Sequence, residues 1–397
     1  MIMDILKRVR HSLSIHIEDF FSLLIAKMPL KEIIVLECES DLDDNPRAFY
    51  EYLIKKGWNK NHKIVWVVKD VDFCRKNYAS KNVVFLSRIK GDLRNRIRLN
   101  YYFTLSHYFV FSHPYWYYKR RPEQIVLSTG HGTPIKNVSK TDNPNLEKCY
   151  DWRLVPTEDI RPWLRKWGCP YEKMHIGGYP RLDELYQGDK REIMTKLFNY
   201  KESENVIICL PTYKKSYHKT DGIAEDRFSL DVIEDEYEYK ALNEYIKGLG
   251  IHLLIKPHPL QRIEGLWLQN LSNIHYINNK MLLEKHIILY QLIGCCDALI
   301  TDLSSVIYDY LLIDKPIGLL TGNYKNYTRG FIIDNVMDYL PGTEITNYEE
   351  LKIFLDSCVN GKDLFKERRN IINRIVNKLP PGHYCKELYQ WLIDSGN

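Results

Sequence analysis

Twice along its length the chain strings together short, almost wholly apolar runs separated by segments of helical length. The first set comprises Lys31–Glu37, Lys63–Val68, Val83–Leu86, Tyr108–Ser112, Gln124–Ser128 and Asp151–Pro156. The second comprises Asn205–Leu210, Ile251–Lys256, Ile274–Ile277, Ala298–Thr301 and Pro316–Leu320. A strand with one wet face alternates apolar and polar residues. Runs apolar at successive positions are buried on both faces, which predicts parallel sheets covered by helices on each side. The pattern therefore predicts an α/β protein with two domains of similar size and a ligand cleft between them. In such sheets ligands bind at the carboxyl ends of the strands. The charged stretch Gln187–Glu204 is placed as the linker, giving domains over 31–190 and 204–365. The stretch 347–393 reads as mostly helical, broken at Pro380-Pro381-Gly382.

Composition narrows the function. With 397 residues, 45% hydrophobic and 27% charged, the chain suits two globular domains at roughly 150 residues each. No run of about 18 apolar residues is present, and no secretory signal is recognisable. The net charge of +5 is too small for a nucleic-acid profile but suits an anionic substrate or an anionic membrane surface. The nine cysteines are scattered, without a CxxC pair, which supports neither a zinc ribbon nor a disulfide framework and points to thiols in a reducing cytoplasm. No Asp–x–Asp cluster stands at a predicted strand end, so no metal site is expected. Asp41-Leu42-Asp43-Asp44 reads as a loop or helix cap.

Residues 1–30 carry an apolar stripe at three- and four-residue steps, from Ile2 to Ile25, with Lys7, Arg8, Arg10 and His11 in the first half and Pro29 at the end. This predicts an amphipathic helix, packed on the protein body or lying on an anionic leaflet.

Four motifs follow predicted strands. In Gly130-His131-Gly132-Thr133-Pro134-Ile135-Lys136 a histidine between glycines permits close backbone approach, and Thr133-Pro134 reads as a helix start able to hold an anion. His131 is the candidate general base. Gly178-Tyr179-Pro180-Arg181-Leu182-Asp183 offers a guanidinium for an anion or an interdomain salt bridge. Pro211-Thr212 pairs with Lys256-Pro257-His258-Pro259, where cationic and donor groups suit a diphosphate. Thr301-Asp302-Leu303-Ser304-Ser305 places small polar groups at a helix start, with Asp302 and Ser304 as capping candidates. The run His113–Arg121 (HPYWYYKRR) reads as a surface loop near an acceptor or a membrane.

In that order HGTPIK, GGYPRLD, PTYKKS, IKPHP, DALITDLSSVIYDYLLIDKPI and YTRGFIIDNVMDYLPG resemble the CDP-glycerol glycerophosphotransferase family, the teichoic acid and capsule polymer polymerases and primases, over about residues 100–375. The resemblance implies a GT-B architecture: two Rossmann-like domains facing a cleft, with the C-terminal helices over 366–397 crossing back. It implies peripheral association with the cytoplasmic face of the cell membrane, and transfer of a phosphoalditol unit from a CDP-alditol to a hydroxyl of a lipid-linked or polyol-phosphate acceptor, releasing CMP. It implies no cofactor. By position it assigns His131 as base and His258 to the donor phosphates. Gly132, Thr133, Pro211, Thr212, Lys256, Thr301, Asp302, Ser304, Ser305, Asp309, Arg329 and Gly330 are assigned to the donor, with Arg181 and Lys136 toward acceptor or phosphate. Leu303 replaces the family's tyrosine, and Tyr213 stands where the family's related segment has tryptophan. Two other readings are compatible with the motifs: a GT-B nucleotide-sugar glycosyltransferase or epimerase, and a nucleotide-binding membrane scaffold.

Overall fold

The computed structural model describes residues 20–394 except 22, 90–92, 114–119, 138–148, 213–229, 231, 234, 259–270 and 323–329. Two sheets result, and every strand pairing in both is parallel. The first is formed by β1 (Lys31–Glu37), β2 (Lys63–Val68), β3 (Val83–Ser87), β4 (Ser106–Phe111), β5 (Ile125–Ser128), β6 (Trp152–Val155) and β7 (Met174–Ile176), in the order β3-β2-β1-β4-β5-β6-β7. The second holds β8 (Asn205–Leu210), β9 (Ile251–Ile255), β10 (Ile274–Tyr276), β11 (Ala298–Thr301), β12 (Ile317–Leu320) and β13 (Thr343–Ile345), in the order β10-β9-β8-β11-β12-β13. β1 is flanked in register on both sides, with Leu36 opposite Trp66 and Val110. Its residues Ile33 to Glu37 are all buried, as an apolar run covered on both faces requires.

Helices enclose the sheets. Asp44–Lys56 ends at Gly57, whose φ of +73° lets its amide reach the last-turn carbonyls of Leu53 and Ile54. The helix Glu236–Gly248 covers the second sheet through Tyr239, Leu242 and Ile246, and Asp235 caps it by accepting from the amide of Glu238 at 2.8 Å. One apolar core runs through both halves, joining Phe111, Val126 and Leu154 to Val206, Ile208 and Leu299. The C-terminal segment returns to the first sheet. Leu388, Leu392 and Ile393 join the core of Ile34, Trp66 and Val110, and the Trp391 ring stacks on His175 at 3.7 Å between centroids. The amides of Tyr384 and Cys385 donate to the Asp183 carboxylate at 3.0 and 2.8 Å. All nine cysteines are free thiols.

Residues 1–19 of the expected N-terminal helix lie outside the described residues. Within its last turns, 20, 21 and 23–25 are helical. Ile25 is buried, whereas Phe20, Phe21, Leu23, Leu24 and Met28 are exposed. Among the described residues no helix is long and apolar enough to cross a membrane.

Candidate functional site

In each sheet the strand order reverses once, between β1 and β4 in the first and between β8 and β11 in the second. At such a reversal the connections leave to opposite sides and open a crevice at the carboxyl ends. The sequence motifs stand at or beside these two crevices. Asp44, His113 and His131 follow β1, β4 and β5; Thr212, Lys256, His258 and Asp302–Ser305 follow β8, β9 and β11.

His131 is displayed between two glycines of positive φ, Gly130 at +60° and Gly132 at +114°. Each glycine lies against a guanidinium. A Cβ on Gly130 would collide with Arg153, and one on Gly132 would come within 2.7 Å of both Arg181 Nη2 and Ser305 Oγ. Arg153 is itself buried, donating through Nη1 to Ser128 Oγ at 2.6 Å. The loop is further tied by Asn45, whose amide donates to Gly130 O at 2.8 Å, and by Ser305, whose hydroxyl donates to His131 O at 3.3 Å. The His131 ring opens to solvent in the cleft but has protein crowded around it. That crowding, then His113, Arg153 and Arg181, hold its pKa well below the ordinary imidazole value, against Asp44. The ring is thus neutral at physiological pH and able to accept a proton.

Arg181 sits beneath this loop in a buried network. Its Nη1 donates to Asp44 Oδ1 at 2.5 Å and its Nη2 to Asp309 Oδ2 at 2.6 Å, while the Tyr290 hydroxyl donates to the same Asp309 oxygen at 2.5 Å. Asp44 belongs to the first half and Asp309 to the second, so the guanidinium bridges them. Arg181 and Asp309 pair with each other here, so the salt bridge that was one of the two roles offered by the Gly178–Asp183 motif is present. Burial raises the Asp44 carboxyl, but Arg181 and the neighbouring histidines outweigh it and hold the pKa below the usual value.

Across the cleft, Asp302 accepts from the Thr212 amide at 3.1 Å and from the Thr212 hydroxyl. Lys136 donates to Thr212 Oγ1 at 2.6 Å, and Thr301 Oγ1 donates to Leu210 O at 2.6 Å. Two local expectations are corrected here. Asp302 does not cap the following helix, because its carboxylate is engaged by Thr212; that helix, Val306–Tyr310, has no side-chain cap at Ser305, whereas Ser304 Oγ accepts from the Val306 amide at 3.5 Å. Being only five residues long, it contributes little macrodipole; in the turn before it the Ser304 amide donates to Asp302 O at 2.9 Å. Residues 133–137 are extended rather than a helix start. Ile135 O accepts from the Ile332 amide at 2.9 Å and the Asn137 amide donates to Gly330 O at 3.0 Å, which commits this backbone to a strand-like bridge. Thr133 is buried, and Pro211 lies beside Thr212 at the mouth of β8.

Lys256 is buried, and burial lowers its pKa, against Asp43. His258 is half-buried. Burial, then Lys256 and Lys136, lower its pKa, opposed by Glu39 and Asp302. Arg329 lies outside the described residues. Among the described residues no group of three or more His, Cys, Asp or Glu side chains has metal-holding geometry.

Sequence reasoning missed two residues of this centre. The run His113–Arg121 reads as a surface loop, but the His113 ring stacks on His131 with centroids 4.5 Å apart and planes 23° off parallel. Asp41–Asp44 reads as a loop or helix cap, and Asp43 does cap the helix Asp44–Lys56; what that reading lacks is the pairing of the Asp44 carboxylate with Arg181. The signal that marks both is position: each follows one of the two strands, β1 and β4, between which the order reverses.

A family model described as CDP-Glycerol:Poly(glycerophosphate) glycerophosphotransferase matches residues 20–393. A teichoic acid poly(glycerol phosphate) polymerase of Bacillus spizizenii is 24% identical over 351 residues, covering 81% of this chain and 83% of that protein. A teichoic acid glycerol-phosphate transferase of Staphylococcus aureus is also 24% identical, covering 93% of this chain and 95% of that protein. A structure of a variant of the wall teichoic acid polymerase TagF soaked with CDPG superposes with a TM-score of 0.74 at 19% identity, covering 100% of this chain and 98% of that one. At that identity the likeness is one of fold, and it is the GT-B arrangement of two facing α/β halves.

Proposed function

The chain belongs to the CDP-glycerol:poly(glycerophosphate) glycerophosphotransferase family, and from that premise we propose that it transfers a phosphoalditol unit from a CDP-alditol, glycerol or ribitol, to a hydroxyl on a lipid-linked or polyol-phosphate acceptor in teichoic acid, capsule or related polymer synthesis. The observation that carries this reading is the contact across the cleft, where Ser305 of the second half donates to the carbonyl of His131 in the first. A neutral histidine thereby faces a turn of hydroxyls, amides and cations suited to a diphosphate.

The chemistry follows from charge and position. The donor diphosphate lies against Ser304, Ser305, Lys256 and His258. The acceptor hydroxyl oxygen forms a bond to the alditol-bearing phosphorus. The bond from that phosphorus to the CMP oxygen breaks, and its electron pair leaves with CMP. His131 takes the hydroxyl proton. Catalysis of this kind rests on positioning and on charge stabilisation of the leaving phosphate.

The exposed apolar residues Phe20, Phe21, Leu23, Leu24 and Met28 support a docking edge toward an anionic membrane surface on its cytoplasmic face, where a lipid-linked acceptor would be presented. Sedimentation with anionic vesicles and not with neutral ones is the expected result, and Phe20→Glu with Leu24→Glu should release the protein.

The direct test is nucleotide release from CDP-glycerol and CDP-ribitol, with and without acceptor. CMP appearing only with acceptor is expected, and His131→Ala and His258→Ala should each abolish it while leaving the fold intact. UDP released from a nucleotide sugar, with no CMP from either donor, would move the assignment to a glycosyltransferase or epimerase of the same architecture. Two folded, fully active histidine variants would sink the roles given to these residues.

A further inference from the structure

The transfer needs a base that is neutral before attack and held in one orientation. His131 sits between two glycines, the most permissive backbone available, so its ring must be oriented by something other than its own chain. Among the described aromatic side chains, His113 supplies a face, with centroids 4.5 Å apart and planes tilted by 23°. His113 leaves the end of β4, one of the two strands bounding the crevice of the first sheet, and its half-buried ring lies near its neighbour's Ser112 hydroxyl at 3.4 Å. Asp44 leaves the other side of that crevice. It takes a φ of +60°, a left-handed conformation uncommon for a residue with a side chain, and is held there by the 2.5 Å ion pair with Arg181.

We propose that His113 is a positioning residue for the transfer: stacked on His131 and facing the same Asp44 carboxylate, it fixes the plane and the charge of the ring that takes the acceptor proton. The proposal rests on His131 being the base. It assigns a role to a histidine that takes no part in the donor-binding turn.

The charges around the pair are few and their signs are known. His131 faces His113 from the end of β4, Asp44 from the start of the helix Asp44–Lys56, Arg153 from β6 and Arg181 from the turn after β7. His113 faces Asp44, Glu39 after β1, Arg153, and Arg88 after β3. A second imidazolium beside the first is opposed by Arg153, which faces both rings, and by Arg181 and Arg88, which face one each, so the pair does not carry two protons together in the working range. Asp44 pulls the other way on each ring. Removing the His113 charge therefore lets His131 hold a proton to higher pH, and removing the Asp44 charge makes it release the proton at lower pH.

The test follows CMP release from CDP-glycerol at saturating acceptor between pH 5 and 9, in the wild type and in His113→Phe, His113→Ala and Asp44→Asn. Phenylalanine keeps a stacking ring without charge. Its acid limb should move up by about half to one pH unit, roughly a two- to fivefold loss at the wild-type midpoint. Asp44→Asn should move the limb down. His113→Ala, which removes the stack as well, should lower the plateau kcat by about tenfold with the donor KM unchanged. Thermal unfolding checks that each variant is folded, and two variants shifted in opposite directions cannot arise from a common loss of stability. Limbs that stay put, or move the same way, with an inactive His131→Ala overturn this inference alone. An active His131→Ala overturns the base and this inference together.

Discussion

Gly132 and Arg181 meet backbone to guanidinium, so closely that a methyl group on the glycine would stand 2.7 Å from Arg181 Nη2. Ser305 Oγ occupies the same space at the same distance, and the φ of +114° is itself unfavourable to any side chain. Gly132→Ala should therefore push the His131 loop off both partners at a cost of about 1–3 kcal/mol of strain and displaced contact. The expected outcome is at least about a tenfold fall in CMP release with the fold retained. A fully active variant would mean the loop adjusts freely and that its contact with Ser305 is incidental to the chemistry.

Arg181 is the cation shared by Asp44 and Asp309, and all three are buried or nearly so. Replacing it by methionine keeps the volume but leaves Asp309 with the Tyr290 hydroxyl and no cation. Breaking a buried pair in this way costs about 3–5 kcal/mol. Urea unfolding of Arg181→Met should show that loss, and adding Asp309→Asn should recover part of it, since an uncharged partner no longer needs the arginine. Equal stabilities for wild type and Arg181→Met would show that the bridge between the halves contributes nothing net.

The strands were legible because burial on both faces writes itself into sequence as continuous apolar runs. Lys31–Glu37, Lys63–Val68, Asn205–Leu210 and Ala298–Thr301 match β1, β2, β8 and β11 end to end. The sequence reading does not include β7 and β13, three-residue strands at a sheet edge; β10 is equally short and at an edge but stands in the run Ile274–Ile277, whereas β13 carries the polar Thr343 and Glu344. The donor-side turns were legible as motifs, since a sequence-local cluster such as Thr301–Ser305 stays together in space. His113, Asp44 and Arg181 were not legible as one centre. They come from three separate connections, and only the reversal of strand order between β1 and β4 brings the first two together. The helix expected after Thr133 failed for a related reason, because a distant segment, 330–332, claims its backbone hydrogen bonds.

Acid should weaken the fold through two histidines outside the cleft. Burial pushes His175, stacked on Trp391, and His275, stacked on Phe198, down to about 4. His275 is also pushed down by its neighbour His252, 2.9 Å away. Both are neutral in the folded protein over a range where the unfolded chain is protonated. The unfolded state then binds more protons, so stability is full above about pH 6.5 and falls as the pH drops toward 4. The melting temperature measured between pH 7.5 and 4.5 should decline in that window. His275→Phe should flatten the decline, and an unchanged slope would show that His275 does not titrate on unfolding.

Donor binding should take up a proton at His258. In the free protein its pKa is lowered by burial and by Lys256 and Lys136, so the ring is largely neutral near neutral pH. The diphosphate of a CDP-alditol is doubly esterified and keeps its two negative charges throughout this range. Bringing that charge beside His258 reverses the local sign: the two lysines that opposed protonation are now offset, and the charged imidazole is favoured. Calorimetry of CDP-glycerol binding at pH 6.5, in buffers of different ionisation enthalpy, should therefore show net proton uptake, with affinity improving as the pH falls from 7.5 to 6. In His258→Ala the uptake should vanish and the affinity should become insensitive to pH over the same interval. Uptake that persists in the variant would place the titrating group elsewhere in the cleft and remove His258 from the donor phosphates.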